Sequence, residues 1–434
     1  MDYTQCLEYL YTKLPMFSRT GPAALKMDLS NTLAICKVLE NPEKKFKCIH
    51  IAGTTGKGSV SHMLASIFQS SGYKTGLYTS PHLTDFRERI RINGQMIPEK
   101  RVISFTESMI PVIESISPSF FELTVGMAFQ YFAEERVDIA IIETGLGGRL
   151  DSTNIVTPEL SIITNIGFDH VALLGNTLPL IANEKAGIIK EGIPALIGEK
   201  SMDTEAVFRL KAKNMQADLY FADDMATIKA AEQEIDKLVV ELTDNTLEKT
   251  LRLQTDLAGV YQKENIKTVY AAIQLLKKSG WNIPDQSLKQ GLQQVIRLTG
   301  LHGRWELLHK NPFIVADVAH NADGIKKLMV QISTTAYNKL FIILGLSADK
   351  DTAAILRLLP KNAFYFYTQA SIPRAMSCQE LKELADSFGL TGCIAAHVNL
   401  AIELSLEKAE KHDLIVICGS VFIVGEIDRK RLSQ

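Results

Sequence analysis

The sequence has no surplus of charge of either sign. Across 434 residues, 47 Lys and Arg stand against 49 Asp and Glu, leaving a net charge of −2. Nothing in that balance asks for nucleic acid or an anionic membrane as a partner. No stretch approaches about 18 uninterrupted apolar residues, so no helix is expected to span a bilayer. The opening MDYTQCLEYLYTKLP places acids where a secretory signal needs a basic region. Cysteine is sparse, and Cys6, Cys36, Cys48, Cys378, Cys393 and Cys418 show no C-x-x-C spacing. A zinc site or redox pair is therefore not expected. Small buried thiols in a reducing compartment are, which makes the cytoplasm the expected location. Internal repeats and low-complexity tracts are also missing. What remains is a chain with 46% hydrophobic and 22% charged residues, which excludes wholesale disorder. Its length suggests two or three domains.

Strand and helix patterns alternate along most of the chain. KCIHIA at 47–52 is a short apolar run, and SVSHMLASIFQSSG from Ser59 has helical spacing that stops at Gly72. KTGLYT reads as the next strand, and RERIRING from Arg87 ends in the Asn-Gly of a hairpin. Helical stretches follow at 99–115 and 122–135. VDIAIIE (137–143) and LSIITN (160–165) are continuous apolar runs, as strands buried on both faces require. Residues 200–258 are more polar, and DLYFA, KLVVELT and KTLRLQT suggest a small antiparallel addition. Further helices are expected at 264–278 and near 286–297. After TGLHG (299–303) the alternation restarts with FIVAD, KLFIILG, AFYFYT and LIVICG and intervening helices. The expected fold is α/β: a P-loop-containing, mostly parallel sheet domain with a small antiparallel addition (1–297), then a second Rossmann-like α/β domain (298–434).

The strongest local motif is Gly53-Thr54-Thr55-Gly56-Lys57-Gly58-Ser59, placed after a strand and opening a helix. Glycines let backbone N–H groups face a phosphate without obstruction, and the helix N-terminus adds a positive dipole end. Lys57 supplies a point charge, and the Ser59 hydroxyl reaches phosphate or Mg²⁺. The loop is shorter than G-x-x-x-x-G-K-[ST], because Ile51 stands where the first glycine belongs. Glu143 ends an apolar strand, the place where open α/β sheets put ligands, and a carboxylate there suits Mg²⁺. TGLGGRLDSTN follows it as a close-approach loop. Asp169-His170 and Ser80-Pro81-His82 also follow strands. His170 as a metal ligand, and Ser80 as an oxygen ligand beside Glu143, are open against structural alternatives. Lys185, in NEKAGIIK, reads on its own as an exposed helical lysine.

GTTGKGS, YTSPHL, IIETGLGGRLDSTN, FDH, NEKAGIIK, HGRWE, DVAHN and the closing CGS occur in an order that resembles folylpolyglutamate synthases and bifunctional dihydrofolate synthases. These belong to the Mur ligase superfamily of ATP-dependent amide-forming ligases, and the resemblance spans essentially the whole chain. It implies an ATP-binding central domain and a C-terminal glutamate-ligase domain. It implies ATP contacts at Gly53, Thr54, Gly56, Lys57, Gly58, Ser59, Asn265, Arg304 and Asp317. It implies two Mg²⁺ ions, one on Ser80 and Glu143 and the other on Glu143 and His170. Lys185 falls where the family carries an N-carboxylated lysine, so burial and neighbouring cations must lower its pKa. Lys57, His170, Lys185 and His320 are the implied catalytic residues, and Phe121 and Ser420 the implied substrate contacts, with His320 and Ser420 near the incoming glutamate.

The implied substrates are ATP, L-glutamate and a dihydropteroate or reduced-folate acceptor, handled by a monomer with no nucleic-acid or membrane partner. Two departures stand out. Thr55 replaces the family's usual Asn, and Thr tolerates a left-handed backbone poorly. The segment 16–32, on the pterin side, matches neither the monofunctional nor the bifunctional pattern. Three other readings are a peptidoglycan Mur ligase, a P-loop NTPase switch and an inactive nucleotide-binding module. The first needs a nucleotide-sugar domain before the loop, and 52 residues precede Gly53. The other two do not account for the conjunction of DVAHN, GLGGRLDSTN, Lys57, Glu143 and His170.

Overall fold

The computed structural model describes residues 1–16 and 28–432. Most of the pterin-side segment, residues 17–27, lies outside them. The chain divides into two units. The first comprises Met1–Ala231, Val239–Thr255 and Gln262–Gly300, and the second Glu232–Leu238, Asp256–Tyr261 and Leu301–Gln434.

The first unit is built on an eight-stranded sheet. In chain order its strands are β1 (Cys48–Ala52), β2 (Thr75–Tyr78), β3 (Ile90–Ile92), β4 (Gln95–Met96), β5 (Ile139–Glu143), β6 (Leu160–Ile163), β7 (Ala195–Ile197) and β8 (Leu219–Phe221). Across the sheet they lie in the order β4-β3-β2-β5-β1-β6-β7-β8. The six strands from β2 to β8 in that order are parallel, and β3 and β4 are antiparallel. Residues of β1, β5 and β6 are all buried, which is why their sequences are continuous apolar runs rather than alternating ones. Helices Glu99–Ile116 and Phe120–Glu134 contribute to one apolar core, and helices Leu178–Ala186 and Met202–Asn214 to another. The β3–β4 hairpin turns at Asn93 and Gly94, with φ of 47° and 75°, as a two-residue Asn-Gly turn requires.

The polar region after residue 200 differs from the sequence expectation. It begins with the helix Met202–Asn214, and DLYFA is not part of an antiparallel addition. Its residues Leu219–Phe221 form β8, parallel to β7 at the sheet edge. A three-residue edge strand with two half-buried residues is too short to show the long buried run of a central strand, and that hid its membership in the main sheet. The addition proper is a three-stranded sheet of β9 (Ala226–Gln233), β10 (Leu238–Asp244) and β11 (Lys249–Thr255), ordered β11-β10-β9. Four-residue connections at 234–237 and 245–248 are too short for a parallel crossover, so its strands are antiparallel.

The second unit has a six-stranded sheet: β12 (Glu306–Lys310), β13 (Phe313–Ala316), β14 (Leu340–Leu344), β15 (Phe364–Tyr367), β16 (Gly392–Ile394) and β17 (Leu414–Cys418). The order is β12-β13-β17-β14-β15-β16. All neighbours are parallel except β12 with β13. The edge strands β12 and β16 are partly exposed and carry no continuous apolar run, and neither was legible in the sequence. Because β17 lies between β13 and β14, the loops after β13 and β17 emerge side by side. Among the described residues no helix is long and apolar enough to cross a membrane.

Candidate active site

The phosphate loop leaves the carboxyl end of β1, the strand flanked by β5 and β6. Ile51 pairs in register with Glu143, and Ala52 with Ile163, so the loop, Glu143 and the start of the 164–170 loop share one sheet edge. Gly56 has φ 83° and leads into the helix Lys57–Ser70. A Cβ there would stand 2.4 Å from Asn265 Oδ1, so only glycine fits both the conformation and the space. Asn265 Nδ2 donates to Gln262 Oε1 at 2.7 Å, and Gln262 Nε2 donates to the buried Ser59 hydroxyl at 3.2 Å. The residue in the left-handed region is therefore Gly56. Thr55 is not among the positive-φ residues, so the concern about Thr in place of Asn does not materialise. Thr55 is instead clamped. Its N–H donates to Asn165 Oδ1 at 2.9 Å, and its hydroxyl accepts from Asn165 Nδ2 at 2.7 Å. Its carbonyl accepts from the Thr164 hydroxyl at 2.6 Å.

Two lysines meet on one backbone oxygen of this loop. Lys57 Nζ donates to Gly53 O at 3.0 Å, and Lys185 Nζ donates to the same oxygen at 2.9 Å. Lys185 is only 4% exposed, the reverse of its bare sequence reading. Burial pushes its pKa from 10.5 down to about 7; the Lys57 charge adds to the effect, and Asp169 and Asp151 oppose it. A substantial fraction of the amine is thus neutral and nucleophilic at neutral pH. Its helix, Leu178–Ala186, is capped by the Thr177 side chain. The loop after β5 holds that helix through Arg149 N donating to Glu184 O at 2.8 Å and an Arg149–Glu184 ion pair at 2.9 Å.

Glu143 closes β5 and is 4% exposed. The backbone N–H of Ser80, just past β2, donates to Glu143 Oε2 at 3.2 Å, so these two residues are brought together. His170 lies on the loop after β6 with φ 48°, its ring nitrogen 3.9 Å from an Asp169 oxygen. Among the described residues no group of three or more His, Cys, Asp or Glu side chains forms a metal cage. Phe121 packs on Gly145, where a Cβ would come within 2.5 Å of its ring. Beneath the same loop, Asp151 accepts from Leu146 N and the Thr153 hydroxyl at 2.7 and 2.5 Å, and His50 Nε2 lies 2.8 Å from that hydroxyl. His50 is on the central strand, and burial lowers its pKa to about 3, so it is neutral.

In the second unit, Asp317 follows β13 and is buried. One of its oxygens accepts from the Tyr261 hydroxyl at 2.5 Å and from Trp305 N at 2.9 Å; the other accepts from Ala319 N at 2.9 Å. Burial raises the Asp317 pKa against these hydrogen bonds and the Arg304 charge. Trp305 sits at φ 50° with its ring buried. A bulky residue there is strained by about 1–3 kcal/mol, and the bond to Asp317 helps hold it beside Arg304. His320 Nδ1 donates to Val318 O at 2.8 Å. Ser420 caps the short helix after β17, and Gly419 N donates to Ala319 O at 2.9 Å. The DVAHN and CGS loops are thus joined, with His320 and Ser420 on adjacent strand ends.

The Mur ligase middle domain matches residues 51–273, and the Mur ligase glutamate ligase domain matches residues 303–421. A dihydrofolate synthase/folylpolyglutamate synthase of Bacillus subtilis is 33% identical over 405 residues, covering 91% of this chain and 92% of that one. The chain belongs to the folylpolyglutamate and dihydrofolate synthase family of Mur ligases. A folylpolyglutamate synthase of Lacticaseibacillus casei is 32% identical, covering 98% of each chain. The solved structure of Escherichia coli FolC in complex with DHPP and ADP superposes with a TM-score of 0.86 at 27% identity, covering 99% of both chains. This protein is accordingly an ATP-dependent ligase with the fold expected from its sequence.

Three residues of this Mur ligase escaped the sequence reading: Asn165, Arg89 and His50. Asn165 stands in the LSIITN run, but its partner Thr55 is 110 residues away, and no local spacing announces that pairing. Asn165→Ala removes two hydrogen bonds to the phosphate loop. It is expected to raise KM for ATP about tenfold with a smaller change in kcat. Steady-state ADP release against ATP concentration measures this, and an unchanged KM would show that the loop holds its shape without the clamp.

Proposed function

We propose that this Mur ligase joins L-glutamate to dihydropteroate, to the γ-carboxylate of a reduced folate, or to both. The observation that carries the reading is the convergence of Lys57 and Lys185 on the Gly53 carbonyl, at the sheet edge that also carries the buried Glu143. It is supported by full-length relatives named dihydrofolate and folylpolyglutamate synthases, and by the DHPP and ADP bound in the E. coli relative.

A carboxylate does not condense with an amine at neutral pH, because its oxygen is a poor leaving group. In the proposed reaction an acceptor carboxylate oxygen attacks the γ-phosphorus of ATP, and the bond to ADP breaks. The glutamate amine then attacks the acyl carbon of the resulting acyl phosphate. The tetrahedral adduct expels inorganic phosphate, and the amine proton leaves to a base. Such transfer depends mainly on positioning and charge neutralisation. Lys57 and the loop residues Gly53, Thr54, Gly56, Gly58 and Ser59 would hold the triphosphate, with Asn265, Arg304 and Asp317 on the rest of ATP. Ser80 with Glu143, and Glu143 with His170, would hold two Mg²⁺ ions, which supply charge neutralisation to the phosphates. Lys185 would carry an N-carboxyl group, formed when its neutral amine adds to CO₂ and loses a proton. Phe121 would face the acceptor, and His320 and Ser420 the glutamate. The six cysteines, all free thiols, suit a cytoplasmic location, and the balanced charge permits a monomer working on small molecules.

The test is ADP release with MgATP, L-glutamate and bicarbonate, comparing dihydropteroate with tetrahydrofolate as acceptor. Release with both, dependent on glutamate, is the result for a bifunctional synthase. Release with tetrahydrofolate alone marks a polyglutamylating enzyme. Release indifferent to glutamate and acceptor would replace the ligase reading with an NTPase.

A further inference from the structure

A second buried cation lies at the same sheet edge. Thr79 N donates to Arg89 O at 3.0 Å, which sets Arg89 at the entrance of β3, opposite the end of β2 and next to Ser80. Arg89 is 7% exposed. Its Nε donates to His82 Nδ1 at 2.8 Å, and its guanidinium lies 5.3 Å from the centre of the Phe120 ring. Among the described residues no carboxylate forms an ion pair with it. His82 Nδ1 is the acceptor of that hydrogen bond and so carries no proton there. Tyr78, through its hydroxyl, and Tyr11 favour the Arg89 charge more than Glu143 does. Phe121, next to Phe120, stacks on Gly145 and lies 6.1 Å from Tyr78, ring to ring.

A guanidinium removed from water without a counter-ion is costly, and buried charges are ordinarily paired. Here the protein offers a neutral imidazole, the Tyr78 hydroxyl and an aromatic face. All three orient the group, and none is a carboxylate that neutralises it. Its planar fork of donors matches a carboxylate bidentately. We infer that Arg89 is a specificity-determining residue that binds a carboxylate of the acceptor, with His82 and Phe120 as positioning residues that aim it. The inference rests on the proposed reading, in which the acceptor is a carboxylic acid bound beside Phe121 and Glu143. An arginine there selects the ionised acid, the form that attacks phosphorus, over neutral esters or amides.

The test separates this from the functional reading. Wild-type enzyme is first assayed for acceptor- and glutamate-dependent ADP release; failure there removes the reading itself. With that activity present, binding of pteroate and of pteroate methyl ester is measured by calorimetry, without Mg²⁺ or nucleotide. Wild type is expected to prefer the acid by about ten- to a hundredfold, the range for a charged hydrogen bond. Arg89→Met is expected to reduce that preference to about twofold, leaving ester affinity and KM for ATP near wild type. A variant that keeps the wild-type acid preference, or loses acid and ester binding equally, overturns the inference and leaves Arg89 a structural tie between two loops. Should Arg89→Met not fold, His82→Leu keeps the charge and removes its aim. A several-fold drop in acid preference is then expected, and an unchanged preference has the same overturning force.

Discussion

Glu143→Gln is expected to abolish glutamate-dependent ADP release while leaving the thermal unfolding midpoint where it is. The amide keeps the shape of the side chain and an acceptor for the Ser80 N–H, which lies 3.2 Å from the carboxylate. What it removes is the negative charge at the end of β5. Structural roles of that side chain, filling space and satisfying Ser80, therefore survive the exchange. Its proposed role, holding Mg²⁺ against the phosphates, does not. Losing a preorganised charge at a transferring group costs on the order of a hundred- to a thousandfold in kcat. Assay of ADP release beside a thermal melt reads both quantities. Wild-type turnover in a normally folded Glu143→Gln enzyme would remove Glu143 from the metal site.

Lys185→Ala should cripple the enzyme to a comparable degree, and small carboxylates added to the assay should restore part of the activity. The reason is its proposed N-carboxyl group, whose negative charge a free carboxylate can imitate. Normal activity in Lys185→Ala, or bicarbonate independence of the native enzyme after exhaustive degassing, would sink that idea. The pH dependence has a definite sign. The neutral amine is the form that takes up CO₂, so at limiting bicarbonate activity should climb through pH 7, where the Lys185 pKa lies. Stability follows the same group. Its pKa is 10.5 when free and about 7 when folded, so between those values the unfolded chain binds the extra proton. Stability from this residue rises with pH across that window, and the burial penalty is complete below it. Lys185→Met, which removes the buried ammonium and keeps much of its volume, is accordingly expected to melt higher at pH 7 although it is inactive. Such a trade of stability against function is common at active sites.

These two residues also show how far the sequence can be read. Glu143 was legible, because an acid ending a run as apolar as IAIIE has few reasons to be there other than chemistry. Gly53–Ser59 was legible for the same kind of reason: strand, glycines, lysine and helix stand next to one another in the chain. Lys185 was not. Its burial arises from the meeting of a helix with a loop 132 residues earlier, and only the family resemblance pointed to it. Arg89 is a sharper case. In RERIRING it is one of three arginines in an alternating hairpin, and nothing local distinguishes it from Arg87. Arg87 forms an ion pair with Asp85, the residue that caps its half-buried turn, whereas Arg89 turns inward. Edge strands failed for a related reason. β8 and β16 are only three residues long and β12 is mixed in polarity, and all three are partly exposed, so the long buried apolar run that reveals a central strand is missing from them.

The oxygen of Gly53 gives the phosphate loop a resting partner. Because the Lys57 ammonium is already hydrogen-bonded to it, a ligand that recruits that ammonium performs an exchange rather than a simple addition. An amide oxygen carries only a partial charge, so a fully ionic phosphate displaces it with net gain. A neutral polar molecule would merely trade one dipole for another. An exchange of that kind favours a guest by its charge more than by its shape.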